Sequence, residues 1–193
     1  MRELKRYKTF DELSTWYDYK YIDMGDGWEC PKEMALDYLA FMGITEKDDK
    51  ALLLDVGCGA GHFIQTASEF VDCEGIDISK VAVVMAKERV PHCEFYVDNI
   101  ETFNELLLYD YIVSLGSIEH TLDIPKALSK IYNILTDDGV AFMLVPNEEW
   151  LHLDQPNETT HTDIEWRKLF EDADFEVVKF ERRGDISLFL LKK

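Results

Sequence analysis

Residues 52–64 read Leu-Leu-Leu-Asp-Val-Gly-Cys-Gly-Ala-Gly-His-Phe-Ile, and this stretch decides the fold. A run of apolar residues stops at Asp55, a cluster of glycines follows, and apolar residues then resume at helical spacing. This order predicts a buried strand, a tight loop and a helix. Glycine lets the backbone turn sharply and approach a ligand closely, and the start of the following helix offers backbone N–H groups without partners. The stretch therefore predicts a cradle for a nucleotide-type ligand.

The spacing of the glycines separates this loop from two common nucleotide-binding motifs. A dinucleotide-binding loop has the pattern G-x-G-x-x-G, and the position of its last glycine is occupied here by His62. The Gly-Lys-Ser or Gly-Lys-Thr ending of a Walker loop is absent. A nucleotide-dependent oxidoreductase stays open as an alternative, although His62 disfavours it.

Two further strands are predicted to end in acids. Residues 74–79 (Glu-Gly-Ile-Asp-Ile-Ser) predict a strand that ends at Asp77, about twenty residues after the cradle, where Rossmann-like folds place a ribose-binding carboxylate. Residues 95–100 (Phe-Tyr-Val-Asp-Asn-Ile) predict a third strand that ends at Asp98. Together with Asp-Val-Gly-Cys-Gly-Ala-Gly, these acids resemble the class I S-adenosylmethionine-dependent methyltransferases. The resemblance is to the group that includes the ubiquinone and menaquinone biosynthesis methyltransferases.

The resemblance implies an α/β fold, a Rossmann-like three-layer sandwich with a seven-stranded, mostly parallel sheet whose last strand is antiparallel. It also implies S-adenosyl-L-methionine as the cofactor. In this family the acid at the Asp77 position binds the ribose hydroxyls, the acid at the Asp98 position faces the adenine amino group, and the residues after the fourth strand border the methionine part. Carried over residue by residue, the cofactor-binding positions are Asp55, Gly57, Cys58, Gly59, Gly61, Asp77, Ile78, Asp98, Asn99, Ile100, Leu115, Gly116 and Ser117.

Length and composition fit one globular domain. The 193 residues predict a single domain, with a helical lid over residues 1–45 and a cofactor-binding core over residues 51–191. No apolar run is long enough to span a membrane and no signal core is present at the N-terminus, so we expect a cytoplasmic protein. The net charge of −19 disfavours a nucleic-acid partner. The four cysteines form no C-x-x-C pair, which predicts reduced thiols and no zinc site.

The N-terminal segment before the first core strand is rich in aromatic residues. Trp16, Tyr17, Tyr19 and Tyr21 are candidates for a lid over the acceptor, and the alternative is a stripe that only docks on the core. We expect Tyr17 and Tyr19 to contact the acceptor, by hydrogen bonding or by stacking on a cation.

His120 is the candidate general base, because it follows the predicted fourth strand and imidazole titrates near neutral pH. The alternative is a histidine that caps a helix or packs under the lid. The irregular segment 146–162 follows a central strand, at the end of the sheet where α/β proteins bind ligands, so we expect it to select the substrate, with Asn147 as a contact. His152, Asp154, His161 and Asp163 carry metal-ligand chemistry, but isolated residues in a long loop more often contact solvent, and we expect no metal.

These features predict a methyltransferase that acts on a small-molecule acceptor, with the acceptor atom (O, N or C) and the oligomeric state left open. Two alternatives remain: a methyltransferase-like module that binds without catalysis, and the nucleotide-dependent oxidoreductase.

Overall fold

The computed structural model describes residues 6–25, 28–104, 106–150 and 155–193. The helices are α1 (Phe10–Met24), α2 (Lys32–Met42), α3 (His62–Ala67), α4 (Lys80–Arg89), α5 (Ile124–Ile134) and α6 (Asp163–Asp172). The strands are β1 (Asp48–Val56), β2 (Val71–Asp77), β3 (Glu94–Val97), β4 (Tyr109–Leu115), β5 (Leu135–Pro146), β6 (Glu176–Arg183) and β7 (Ile186–Lys192). A short 3-10 turn over Ile118–His120 follows β4.

The strands form one sheet in the order β3-β2-β1-β4-β5-β7-β6. Strand β1 pairs in parallel with β2 and with β4, whereas β7 is antiparallel to both of its neighbours, β5 and β6. The predicted seven-stranded, mostly parallel sheet is confirmed, with the antiparallel strand inserted between β5 and β6. The chain order reverses between β1 and β4, and open α/β sheets bind ligands at the carboxyl ends of such strands.

Each face of the sheet carries its own apolar core. Successive residues of a strand point to opposite faces, and the fully buried Leu53 and Leu54 accordingly belong to different cores. Side chains of α2, α3 and α4 complete the first core, and side chains of α5 and α6 complete the second. The three-layer arrangement is therefore confirmed.

Helix α4 begins at a capping serine and buries small side chains. Ser79 caps the helix, because its hydroxyl accepts a hydrogen bond from the N–H of Ala82 at 3.1 Å. Ala82 and Val83 are buried, whereas Val84 is 48% exposed. Ala82 packs in one buried cluster with Tyr21 and Ala60, beside the glycine loop.

Helix α1 lies against the strand ends that carry the predicted site. Ser14 Oγ donates to the carbonyl of Ile78 at 2.7 Å, immediately after β2. Asp18 Oδ1 accepts hydrogen bonds from Ser79 Oγ at 2.6 Å and from the N–H of Val81 at 3.1 Å. These three bonds fasten α1 to the start of α4. Within the described residues, no helix is both long and apolar enough to cross a membrane.

Candidate functional site

The glycine loop joins β1 to α3 with a backbone that other residues rarely adopt. Gly57 has a φ of 77°, and a Cβ at this position would lie 2.4 Å from the Cβ of Ser117 on the neighbouring loop after β4. Gly59 has a φ of 52°. The loop therefore requires glycine both for its conformation and for the close approach of the two loops.

Asp77 stands at the end of β2 and holds the glycine loop. Its Oδ2 accepts a hydrogen bond from the N–H of Gly59 at 2.9 Å, and its Oδ1 accepts one from the N–H of Ser79 at 2.8 Å. Burial raises the pKa of the Asp77 carboxyl to about 6, and the two backbone N–H groups oppose that rise. Each carboxylate oxygen has a second lone pair, so Asp77 can still accept from a ligand hydroxyl.

Asp55 is the most deeply buried acid of the site. Its side chain is 2% exposed, and its Oδ1 makes no hydrogen bond to any residue that the structure describes. Burial and the charge of Asp77 raise the pKa of the Asp55 carboxyl to about 8. A buried oxygen of this kind is costly unless a ligand completes its hydrogen bonding.

A second incompletely bonded group lies at the other end of the site, after β3. The Oδ1 of Asn99 accepts from the N–H of Glu101 at 3.0 Å, while its buried Nδ2 has no acceptor among the described residues. Asp98 precedes it and uses Oδ1 to accept from the N–H of Asn99 at 2.7 Å. An acceptor on a planar ring would satisfy the Asn99 amide.

Two cavities open at the carboxyl ends of the strands, with volumes of about 100 Å³ and about 170 Å³. The first brings together nine of the predicted site residues, namely Tyr17, Gly57, Asp77, Ile78, Asp98, Asn99, Ile100, Ser117 and His120. The second is lined by five of them, namely Asp55, Gly57, Cys58, Gly59 and Leu115. Gly61, Gly116, Tyr19 and Asn147 line neither cavity.

Tyr21 and Trp28 line both cavities and lie between them. Their rings meet edge to face, with centroids 5.4 Å apart, and a Cβ at Gly59 would lie 2.6 Å from the Tyr21 hydroxyl. Burial and the nearby Asp77 raise the pKa of the Tyr21 phenol far above its usual range, so the hydroxyl keeps its proton. In this conformation the aromatic pair occupies the space beside the glycine loop.

The sequence pointed to Tyr21 only as one lid candidate, and it did not identify Trp28 or Asp18 as parts of the site. A signal for Asp18 was available, because Ser14, Tyr17, Asp18 and Tyr21 recur at helical spacing on one side of α1. Trp28 follows the sequence Gly-Asp-Gly, which offers no comparable signal.

His120 lines the first cavity from the 3-10 turn after β4. Its Nδ1 lies 3.1 Å from the carbonyl oxygen of Pro156, and because a carbonyl can only accept, Nδ1 carries the hydrogen. Its Nε2 is buried and lies 3.8 Å from Oε1 of Glu119. Burial and the charge of Glu158 raise the pKa of the Glu119 carboxyl to about 8.

Two predicted acceptor contacts do not fit their positions. The Tyr19 side chain is 70% exposed on the outer side of α1. Asn147 is fully buried and bonded within the protein: its Nδ2 donates to the carbonyl of Gly184 at 2.9 Å, and its Oδ1 accepts from the N–H of Glu149 at 3.0 Å. Asn147 thus ties the end of β5 to the turn between β6 and β7, and we leave both residues out of the site.

The candidate metal residues are not brought together in the described part of the chain. His161 packs edge to face on Trp166, and Asp163 accepts from Arg182 at 2.8 Å. His152 and Asp154 lie outside the described residues. No group of three or more His, Cys, Asp or Glu suited to a metal occurs among the residues described.

Comparison with known proteins gives consistent findings. A family model described as a methyltransferase domain matches residues 29–183. A trans-aconitate 2-methyltransferase from Yersinia pseudotuberculosis is 26% identical over 146 residues, which cover 72% of this chain and 54% of that protein, so the chain spans about half the length of this relative.

Solved structures show the same fold at low sequence identity. The [4+2]-cyclase SpnF has a TM-score of 0.78 at 14% identity, with 97% of this chain and 96% of that chain covered. A magnesium protoporphyrin IX methyltransferase from Synechocystis, solved with bound S-adenosylmethionine, has a TM-score of 0.67 at 17% identity, with 94% and 93% covered. Likeness at this identity establishes the fold alone.

Proposed function

The chain belongs to the methyltransferase domain family, within the class I S-adenosylmethionine-dependent methyltransferases, and we propose that it transfers a methyl group from S-adenosylmethionine to a small-molecule acceptor. The cofactor supplies a methyl group already activated on a sulfonium, so the protein has to align the acceptor with it and exclude water. The acceptor named for the Yersinia relative is not carried over, because the chain covers only about half of that protein.

The observation that carries the proposal is a pair of buried polar atoms, one on a residue that lines each of the two cavities. Asp55 Oδ1 is an acceptor beside the glycine loop, and Asn99 Nδ2 is a donor after β3; neither has a partner in the described part of the chain. The cofactor is an amino acid joined to a nucleoside, with an ammonium at one end and a ring of acceptor nitrogens at the other. The two unsatisfied atoms match these two ends.

The residues between the two atoms fit the middle of the same molecule. Asp77 has lone pairs left for the ribose hydroxyls, and the apolar Ile78 and Ile100 would hold the faces of the adenine. Gly57, Cys58, Gly59, Leu115 and Ser117 would border the methionine part. Gly61, the residue before α3, and Gly116 would shape the two loops without lining the cavities.

His120 would act as the general base on the acceptor side. Its ring lines the first cavity and is held in place by the contact of Nδ1 with the carbonyl oxygen of Pro156 at 3.1 Å. Residues of α1, with Tyr17 among them, would form the wall that keeps water from the acceptor. The helical segment over residues 1–45 would thus serve as a lid on a single domain. We also propose a reducing compartment such as the cytoplasm, in which the free cysteines stay thiols, and no nucleic-acid partner.

Calorimetric titration with S-adenosylmethionine and with S-adenosylhomocysteine tests the proposal. Both should bind, and Asp77→Ala should weaken binding by at least about 1 kcal/mol, the scale of a hydrogen bond to a charged group. The exposed Asp137→Ala is the matched control and should bind as the wild type does. Failure of a folded protein to bind either compound would overturn the proposal, and binding without turnover of any acceptor would favour the non-catalytic module.

A further inference from the structure

A groove of about 530 Å³ lies beside the first cavity, between the start of α5 and the segment that precedes α1. Arg6, Lys8 and His161 line this groove. Thr121 lines both the groove and the first cavity, on the same loop as His120. The two spaces therefore adjoin at Thr121, on the acceptor side of the first cavity.

The charge of the groove is opposite to that of the chain as a whole. The sequence has 39 acidic residues against 20 lysines and arginines, whereas Arg6 and Lys8 face a single acid, Asp123, among the described residues that line the groove. Asp123 caps α5, and its Oδ1 accepts a hydrogen bond from the N–H of Lys126 at 3.0 Å. The positive end of the helix partly offsets the charge of this acid. The groove is thus a cationic site on a strongly acidic protein.

Asn157 fixes the segment that carries the two cations. Its Oδ1 accepts from the N–H of Tyr7 at 2.7 Å, and its Nδ2 donates to the carbonyl of Tyr7 at 3.1 Å. Asn157 is 6% exposed and has a φ of 59°, a conformation that asparagine adopts more readily than most residues. Arg6 and Lys8 flank Tyr7 in the chain, so these two bonds limit the positions that both cationic side chains can reach.

Neither cation is neutralised within the described part of the chain. No salt bridge to a described residue involves the side chain of Arg6 or Lys8. Glu12 accepts from the backbone N–H of Lys8 at 3.1 Å, but it does not line the groove. Two cations in one groove repel each other, and an anion that binds both removes this repulsion and forms charge-assisted hydrogen bonds.

Resting on the function proposed above, we propose that the acceptor carries an anionic group, a carboxylate or a phosphate, at the end away from the atom that is methylated. The reacting end lies in the first cavity, where Phe10, Tyr17 and Trp28 give an aromatic surface for an apolar body. The acceptor passes Thr121, and Arg6 and Lys8 bind its anionic group in the groove.

Binding at the far end would orient the acceptor. An anchor in the groove fixes which end of the molecule enters the first cavity, and a reacting atom that is held in place needs less ordering to reach the methyl group. His161 adds an imidazole to the groove, and its ring is held edge to face on Trp166 at a centroid distance of 4.8 Å. Arginine suits both anions, because its planar guanidinium can donate two parallel hydrogen bonds to a carboxylate or a phosphate.

Four probes with the same phenylhexyl body, each with the ring at the end opposite its polar group, test the inference. Phenylhexanoate and phenylhexyl phosphate are anions, phenylhexanol is neutral and phenylhexylamine is a cation. Each is titrated by calorimetry into the full chain saturated with S-adenosylhomocysteine, and again into the cofactor-free chain. At least one anion should bind about tenfold more tightly than the alcohol, and the amine should bind more weakly than the alcohol.

The two anions separate the possible sources of the charge. Tighter binding of phenylhexanoate would assign a carboxylate to the acceptor, and tighter binding of phenylhexyl phosphate would assign a phosphate. Equal affinities of all four probes, a preference for the alcohol or the amine, or no binding by either anion would overturn the inference.

A double variant assigns the preference to the two cations. Arg6→Gln combined with Lys8→Gln should bring the tighter anion to within about threefold of the alcohol, with an unchanged affinity for S-adenosylhomocysteine. Lys87→Gln combined with Lys192→Gln is the matched control, because it removes two charges from exposed residues that do not line the groove, and it should keep the ratio. An unchanged ratio in the first double variant, or an equal loss in the control, would overturn the inference.

Asn157→Gly tests the positioning of the cations separately from their charge. Glycine tolerates the left-handed backbone at this position and removes both bonds to Tyr7, while Arg6 and Lys8 remain. The ratio of anion to alcohol affinity should fall, with S-adenosylhomocysteine binding unchanged. An unaltered ratio in a variant shown to be folded by circular dichroism would overturn the role of Asn157.

The two proposals fail in distinguishable ways. Loss of S-adenosylhomocysteine binding would overturn the methyltransferase function, and the titration of the cofactor-free chain would still decide the charge preference of the groove. Normal cofactor binding without a preference for either anion would overturn only the anionic acceptor.

Discussion

Replacing Asp55 by asparagine should make the cofactor-free protein more stable, although it alters the proposed cofactor site. Burial and the charge of Asp77 raise the pKa of the Asp55 carboxyl from its ordinary 3.8 to about 8. At about pH 7 this carboxyl is ionised in the unfolded chain and mostly protonated in the folded protein, and that difference costs about 4 kcal/mol of stability. Asparagine does not titrate, so this cost disappears in the variant.

The net gain is smaller, because the new amide brings N–H donors into a buried position. The Oδ1 atom of Asp55 has no partner within the described residues, and an unsatisfied buried donor costs about 1–3 kcal/mol. The expected net gain is therefore about 1–3 kcal/mol, or roughly 5 °C in the melting midpoint of a chain of this size.

The stability that Asp55→Asn gains over the wild type should increase with pH. Since the pKa of Asp55 is raised in the folded state, the wild type has its full stability below about pH 4 and loses it as the pH rises toward about 8. The difference in melting midpoint between Asp55→Asn and the wild type should therefore grow over this range. The exposed Asp137→Asn is the control and should show no such trend. A difference that does not change with pH, or a variant less stable at about pH 8, would refute the reasoning.

The same variant should bind S-adenosylhomocysteine about tenfold more weakly or worse, because it loses a charge-assisted hydrogen bond to the ammonium. Binding of an ammonium favours the ionised carboxyl, so the affinity of the wild type should rise with pH between about 6 and 7.5. The affinity of Asp55→Asn should rise less over this range, and calorimetry at several pH values measures both. If the affinity of both proteins changed equally with pH, Asp55 would not be the group that binds the ammonium.

Other substitutions test the loop, the lid and the base. Gly57→Ala should lower the unfolding free energy by about 2 kcal/mol or more in urea titrations, because its Cβ meets a side chain at 2.4 Å. Gly184→Ala is the control, because Gly184 has a φ of 65° and no atom lies within 4 Å of its Cβ position, so only backbone strain acts there. It should lower the unfolding free energy by less than Gly57→Ala does. Equal losses of unfolding free energy in the two variants would contradict a side-chain clash at Gly57. Asp18→Asn weakens the attachment of α1 and should speed cofactor association up to about fivefold in stopped-flow fluorescence, whereas Asp23→Asn should not. His120→Asn should reduce turnover by about 100-fold or more with an unchanged cofactor Kd, and an unchanged turnover rate would remove it as the base.

Much of the site was predictable, because its residues lie at ends of parallel strands. Asp77 and Asp98 follow short apolar runs, and the carboxyl ends of parallel strands meet at one edge of the sheet. Asn147 has the same kind of sequence position, but its amide bonds to Gly184, 37 residues later, and no local pattern specifies that pairing. Hydrogen bonds between side chains and distant parts of the chain therefore could not be predicted from the local sequence.

The position of helix α1 is a second feature that the local sequence does not specify. Aromatic residues at helical spacing predicted a helix that covers something, but the position of α1 depends on Asp18 and its bonds to the start of α4. The rings of Tyr21 on this helix and of Trp28 meet edge to face. Helical spacing places Asp18 on the same side of α1 as Tyr21 but does not specify its partner, and the contact of Tyr21 with Trp28 has no periodic signature.

In the cofactor-free protein, the position of the Tyr21–Trp28 pair would favour a ligand that fills both cavities over a ligand that fills only one. The pair separates the two cavities, so a ligand that fills only one of them can leave the rings in place, whereas a ligand that spans both has to displace them. Free adenosine and free methionine would each fill only one of the two cavities and would be stopped by the aromatic pair. Only the intact cofactor gains contacts in both compartments, which can offset the cost of moving the rings. The pair would therefore favour binding of the intact cofactor over binding of either fragment.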